Sequence, residues 1–113
     1  MENSLYTKEY QTISAAKAKE MISDLSTYTV IADVRRPDEY NLGHIKGAVN
    51  IPLGQLKEKA KELLPDKKQE IILYCQSGSR SCDAARVMHS MGYTNVYDLG
   101  SIDKWIYEME NRL

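Results

Sequence analysis

The apolar run Ile71-Ile72-Leu73-Tyr74 ends on Cys75, passes through Gln76-Ser77-Gly78-Ser79-Arg80-Ser81 and turns at once into a helix-like stretch. An unbroken apolar run without polar alternates suits a strand covered on both faces, as in a parallel sheet flanked by helices. A short polar loop between such a strand and a helix aims backbone N–H groups into one space at the helix N-terminus, which makes an anion site. A cysteine at the mouth of that loop is held as thiolate, its nucleophilic form. The segment therefore predicts an architecture and a chemistry together: an α/β fold, and a reactive cysteine that meets a small anion.

The rest of the chain repeats the strand–helix alternation. Tyr10–Ile13 reads as a first strand. Ser14 reads as the N-cap of a helix running to Ser23. Tyr28–Val34 is a second buried strand. Pro37 opens a short helix that Gly43 closes, and Ala48–Ile51 is a strand halted by Pro52. Apolar residues at 53, 56, 60, 63 and 64 fall on one helical face, with the lysine and glutamate run from 57 to 62 as its wet side and Pro65 as its end. Glu70–Tyr74 is the strand before the cysteine, and Ser79–Met91 the helix after it, stopped at Gly92. Asn95–Leu99 is a fifth strand, and Ser101–Asn111 a last helix carrying Trp105. Five strands alternating with helices predict a central, mostly parallel five-stranded sheet with helices on both faces, in one domain over residues 10–113. Residues 1–9 read as a loose lead-in. In open α/β sheets ligands bind at the carboxyl ends of strands, and Cys75 sits at such an end.

Composition narrows the partners. The 113 residues carry 15 Lys and Arg against 16 Asp and Glu, a formal net charge of −1. That charge gives no general attraction to nucleic acid or to an anionic membrane, so any pull on anions is local. No apolar run reaches membrane-spanning length. The first residues lack the basic-then-apolar pattern of a secretory signal, and two cysteines seven apart make a poor disulfide framework. Both point to the reducing cytoplasm.

The loop composition suits thiolate stabilisation. Raising a free thiol from about 3% to about 90% thiolate at neutral pH takes roughly 3.4 kcal/mol. A helix dipole supplies only about 0.3–1 kcal/mol. Hydrogen bonds from loop N–H groups, at about 1.5–3 kcal/mol each, must supply the rest. Gly78 allows backbone conformations closed to other residues, Ser77 and Ser79 are small and add hydroxyls, Gln76 need not point inward, and Arg80 brings a permanent positive charge for an anion.

Taken with Asp33-Val34-Arg35-Arg36-Pro37-Asp38-Glu39-Tyr40-Asn41-Leu42-Gly43-His44-Ile45-Lys46-Gly47-Ala48-Val49-Asn50-Ile51-Pro52, this loop resembles a single-domain rhodanese. The closing segment Asp98-Leu99-Gly100, with Trp105, is similar too, although Ser101 stands where a second glycine is common. The resemblance implies a rhodanese-like domain and a thiosulfate:cyanide type of sulfurtransferase. Cys75 would carry a sulfane sulfur as a persulfide, and Gln76, Ser77, Gly78, Ser79 and Arg80 would form the substrate cradle. The implied partners are a thiosulfate-like or low-molecular-weight persulfide donor and a cyanide or thiol acceptor, with one protein partner as the alternative acceptor. No metal or organic cofactor is implied. The Cys-x4-Arg spacing from Cys75 to Arg80 is one residue shorter than the Cys-x5-Arg loop of related phosphatases and arsenate reductases, which favours a sulfur over a tetrahedral oxyanion.

Asp33, Arg35 and Glu39 are candidates for a layer behind the loop, with Arg35 pairing Glu39; a structural capping and ion-pair network is the equal alternative. Arg36 and Lys46 read as solvated surface charges. His44 sits in a turn that resembles the family's structural turn, with its imidazole bonded to backbone. Cys82 reads as a small packed residue, with a Cys75–Cys82 disulfide as the lesser alternative. Nothing across Cys75, Cys82 and His89 has metal-site spacing. Tyr74, Met88, Met91 and Trp105 read as core.

Overall fold

A computed structural model describes residues 10–111, so the lead-in expected at residues 1–9 lies outside the described residues. The elements in chain order are β1 (Gln11–Thr12), α1 (Ala15–Ser23), β2 (Thr29–Asp33), α2 (Pro37–Leu42), β3 (His44–Ile45), β4 (Val49–Asn50), a 3-10 turn over Leu53–Gln55, α3 (Leu56–Leu63), β5 (Glu70–Cys75), α4 (Ser79–Ser90), β6 (Val96–Ser101), a second 3-10 turn over Ile102–Lys104, and β7 (Met109–Glu110). Five strands form one sheet in the order β1-β6-β5-β2-β4, every neighbouring pair parallel. The all-parallel pairing follows from the helices between strands, because a parallel return needs a crossover.

Side-chain alternation along the two central strands builds a core on each face of the sheet. Val30, Ala32, Val34, Ile71, Leu73 and Cys75 face α3 and α4, where Leu56, Ala60, Ala84, Ala85 and Met88 meet them. Ile31, Ile72, Tyr74 and Leu99 face the other way, onto Ala18 and Met21 of α1 and onto Ile45 and Ile102. Ile71, Ile72 and Leu73 are fully buried, and each such side chain stabilises the fold by about 1.5–3 kcal/mol. This two-sided burial is why β5 lacks polar alternation.

The caps behave as their residue types dictate. Ser14 Oγ accepts the N–H of Lys17 at 3.0 Å and starts α1. Gly92, at φ +98, stops α4 with its N–H on the His89 carbonyl at 2.9 Å. Gly43 closes α2 from extended backbone, its N–H on the Tyr40 carbonyl at 3.2 Å.

Two expected elements differ. The helix expected over residues 53–64 begins as a 3-10 turn containing Gly54 and becomes α-helical at Leu56. Leu56, Ala60 and Leu64 hold its buried face, while Leu63 is half exposed. The helix expected over Ser101–Asn111 does not form. One 3-10 turn is followed by β7, which pairs antiparallel with β3, His44 opposite Glu110 and Ile45 opposite Met109. Ile106 is 81% exposed, so the segment has no apolar helical face to bury. Its backbone finds partners across the chain instead: the Glu108 carbonyl accepts the Lys46 N–H at 3.1 Å and the Trp105 indole N–H at 3.0 Å. Trp105 is accordingly only partly buried, packed against the α1-side core.

Candidate active site

Cys75 is the last residue of β5 and has no solvent exposure. Gly78 adopts φ +100, a left-handed conformation open to glycine, and this turns its N–H onto Cys75 Sγ at 2.9 Å. The Gly78 carbonyl faces the other way, into the first turn of α4, where it accepts the Cys82 N–H at 3.3 Å and the Ser81 hydroxyl at 3.1 Å. The loop is thus pulled tight around the sulfur by the helix that follows it. Ser77 and Ser79 stand exposed at the rim, their hydroxyl oxygens 3.4 Å apart. The positive end of α4 lies at the same loop.

The loop arginine has a carboxylate partner that the sequence did not assign to it. Arg80 does not stand free above the sulfur: Nη1 and Nη2 donate to Glu39 Oε1 and Oε2 at 2.8 and 3.1 Å, a two-pronged pair that ties α4 to α2. The Arg80 hydrogen bonds, against the opposing effect of burial, hold the Glu39 carboxyl at about 2. Glu39 also accepts the Arg36 N–H at 2.9 Å, capping the first turn of its own helix.

The expected Arg35–Glu39 pair is therefore absent, because each partner is taken. Arg35 donates to Asp33 through Nε and Nη2, at 2.8 to 3.1 Å, to the Gly43 carbonyl at 2.6 Å and to the Gln76 side-chain oxygen at 3.1 Å. Burial opposes its charge, yet the bonds and charge of Asp33 raise its pKa above the ordinary guanidinium value. Asp33 and Tyr74 are cross-strand neighbours and Cys75 follows Tyr74, so the Asp33 carboxylate lies on the face of the sheet opposite the cysteine. Arg35 bridges the two faces by reaching Gln76, and Gln76 points back to it.

Three residues complete this layer. Tyr74 reads as plain core, but its hydroxyl donates to Asp33 Oδ2 at 2.7 Å and accepts the Ile45 N–H at 3.0 Å. Burial, then the Asp33 charge, pushes its ionisation far above the usual tyrosine range. Asn50 Nδ2 donates to the Asp33 and Arg35 carbonyls, both at 3.0 Å. Ser101 Oγ donates to the Gln76 carbonyl at 2.7 Å. In the sequence Asn50 stands only within the Asn50-Ile51-Pro52 run and Ser101 only in place of a glycine; nothing local marks the role of either, or of Tyr74.

His44 stacks on Tyr40 with ring centroids 3.7 Å apart and donates from Nδ1 to the Tyr40 carbonyl at 2.9 Å. Its Nε2 lies 3.4 Å from Glu110. Its imidazole is bonded to backbone, as expected, but the residue lies in strand β3 just before the turn at residues 46 and 47. Cys82 touches the Tyr10 hydroxyl at 3.0 Å and packs between α4 and the start of the domain. Arg36 pairs with Asp38 and Lys46 with Glu108 on the surface. Among the described residues no cluster of His, Cys, Asp and Glu could hold a metal ion, and no helix is long and apolar enough to cross a membrane.

A parallel sheet with a cysteine at the carboxyl end of a central strand, wrapped by a six-residue loop at a helix N-terminus, defines a class of domain. The chain belongs to the rhodanese-like domain family, whose model matches residues 14–108. It is 40% identical over 70 residues to the thiosulfate sulfurtransferase PspE of Escherichia coli, a match covering 62% of this chain and 67% of that one. It is 44% identical over 69 residues to the putative sulfur carrier protein YrkF of Bacillus subtilis, covering 61% of this chain but only 36% of the longer relative. A rhodanese-related protein from Thermoplasma volcanium superimposes with a TM-score of 0.75 at 32% identity, covering 89% of this chain and 98% of that one.

Proposed function

We propose that this protein is a sulfurtransferase that moves a sulfane sulfur through a persulfide on Cys75. The observation that carries the reading is the Gly78 N–H directed at Cys75 Sγ at 2.9 Å inside a loop closed by α4. A donor N–H at that distance aims a loop amide straight at the sulfur and fixes it at the mouth of the loop.

The Cys75 thiolate attacks the outer sulfur of a donor such as thiosulfate. A new S–S bond forms, the donor's S–S bond breaks, and sulfite leaves with the bonding electron pair. An acceptor thiolate or cyanide then attacks the outer sulfur of the persulfide, and the Cys75 thiolate departs as leaving group. Two half-reactions through one covalent intermediate give ping-pong kinetics. The N–H groups from Gln76 to Arg80 cradle the outer sulfur. With Arg80 balanced by Glu39, backbone donors rather than a free guanidinium hold the charge, and Arg80 fixes the far end of the loop. The kinship with PspE supports thiosulfate as donor, and the kinship with YrkF supports a protein acceptor as the second reading. Two free thiols, Cys75 and Cys82, suit the reducing cytoplasm as the working compartment.

The test is steady-state turnover with thiosulfate and either cyanide or a small thiol, varying both substrates. Parallel double-reciprocal lines, lost in Cys75→Ser and kept in Cys82→Ser, are expected. Full turnover in Cys75→Ser would end the assignment. Sulfur loading without release to any small acceptor would move the protein to the carrier reading.

A further inference from the structure

We infer that Ser101 is a positioning residue for the cysteine loop, acting through the peptide between Gln76 and Ser77; this rests on the sulfur-transfer reading above. β6 carries a bulge beside the site. The pairing runs Leu73 with Asp98 and then Tyr74 with Gly100, so Leu99 is the extra residue, and Cys75 comes to lie opposite Ser101. Gly100, at φ +88, makes the bend that this register needs. The bulge thus delivers a side chain from the neighbouring strand to the outside of the loop.

The Ser101 hydroxyl has one proton and two acceptor lone pairs. Its oxygen accepts the Asp103 N–H at 3.1 Å, which orients it at the start of the second 3-10 turn. Its proton goes to the Gln76 carbonyl at 2.7 Å. A trans peptide is planar, with C=O and N–H pointing in opposite directions. A carbonyl drawn to Ser101 therefore turns the Ser77 N–H the opposite way, toward the inside of the loop. The Gly78 N–H is already on that sulfur, so Ser101 sets a second donor of the same cradle. A glycine at this position would keep the backbone but has no hydroxyl to do this. Ser101 touches neither the sulfur nor a donor molecule, and its effect on transfer passes entirely through Ser77.

The experiment compares the full chain with Ser101→Ala and Ser101→Thr by two readouts: hydrogen exchange at the Ser77 amide in the resting protein, and kcat and KM for thiosulfate with cyanide as acceptor. Ser101→Ala is expected to speed Ser77 exchange about tenfold and to lower kcat about three- to tenfold, the size of one hydrogen bond, with KM within about twofold and an unchanged melting temperature. Ser101→Thr, which keeps the hydroxyl, should stay within about twofold of the parent in both readouts. Unchanged Ser77 exchange in Ser101→Ala overturns the inference, as does faster exchange with unaltered kcat. If the parent protein transfers no sulfur, the functional reading fails, while the exchange comparison still decides whether Ser101 holds the peptide.

Discussion

Tyr74 joins two polar partners inside a core that its neighbours make apolar. Its hydroxyl donates to Asp33 Oδ2, beside the Arg35 bonds to the same oxygen, and accepts the Ile45 N–H. Tyr74→Phe strands the buried Ile45 N–H, at about 1–3 kcal/mol, and takes one hydrogen bond, about 1 kcal/mol, from an Asp33 carboxylate that keeps its Arg35 bonds. A loss of about 2–4 kcal/mol in urea denaturation is expected; a loss under about 0.5 kcal/mol would make Tyr74 simple filler. Glu39 gives a prediction with a pH signature. Its carboxyl is held at about 2 by Arg80, so the pair's contribution is fully present above the ordinary carboxylate value and fades as pH falls through about 2. The stability gap between the parent and Glu39→Gln should therefore be widest above about pH 5 and close near pH 2. A gap that does not change with pH would mean that the two helices are joined by packing alone. Glu39→Gln also leaves the Arg80 charge uncompensated at the loop. The ratio of kcat/KM for dianionic thiosulfate over a monoanionic thiosulfonate should rise several-fold, on the order of 1 kcal/mol for one added donor charge at this range. An unaltered ratio would place the Arg80 field outside the donor's reach.

At the scale of elements, β5, the loop and α4 were legible because every local signal agrees: an apolar run, a glycine able to take φ +100, a serine opening the helix, and Gly92 closing it. The same agreement singles out Cys75 for the proposed role of sulfur carrier. The C-terminal segment was not legible, because what decides it lies more than sixty residues away, where Lys46 and Gly47 meet Glu108 and Glu110. A helical reading of residues 101–111 weighs only local propensity, and tertiary pairing overrides it. The partner of Arg80 was missed for a related reason: Arg35, Arg36 and Arg80 could each reach an acidic residue near 39, and only the fold assigns them. Loop length makes the element-scale prediction. Cys75 to Arg80 is one residue shorter than the cradle of related phosphatases, and donors misplaced by about 1 Å cost roughly a hundredfold in rate. Aryl phosphate hydrolysis should therefore be negligible beside sulfur transfer in the same sample. Comparable phosphatase turnover, lost in Cys75→Ser, would overturn the link between loop size and sulfur.

Over the whole molecule, the parallel sheet gathers the carboxyl ends of β2, β5 and β6 at one edge and divides the labour between its faces. Cys75 and its loop belong to the α4 side, while Asp33 and Tyr74 form a buried polar brace on the α1 side, joined to the loop by Arg35 on Gln76. The sheet and its two cores follow from the unbroken apolar runs within Thr29–Asp33 and Glu70–Cys75 and from the helices between strands, which is why the architecture was readable. The brace was not, since Asp33, Tyr74 and Arg35 each have an ordinary structural reading alone and become a unit only through the β2–β5 register. The proposed transfer depends on Cys75 as the sulfur carrier. Mass spectrometry of the protein after exposure to thiosulfate, with the adduct located by peptide mapping, tests that most directly. One sulfur atom on Cys75, removed by cyanide, is the expected result; an unloaded Cys75, or the sulfur found on Cys82, contradicts it.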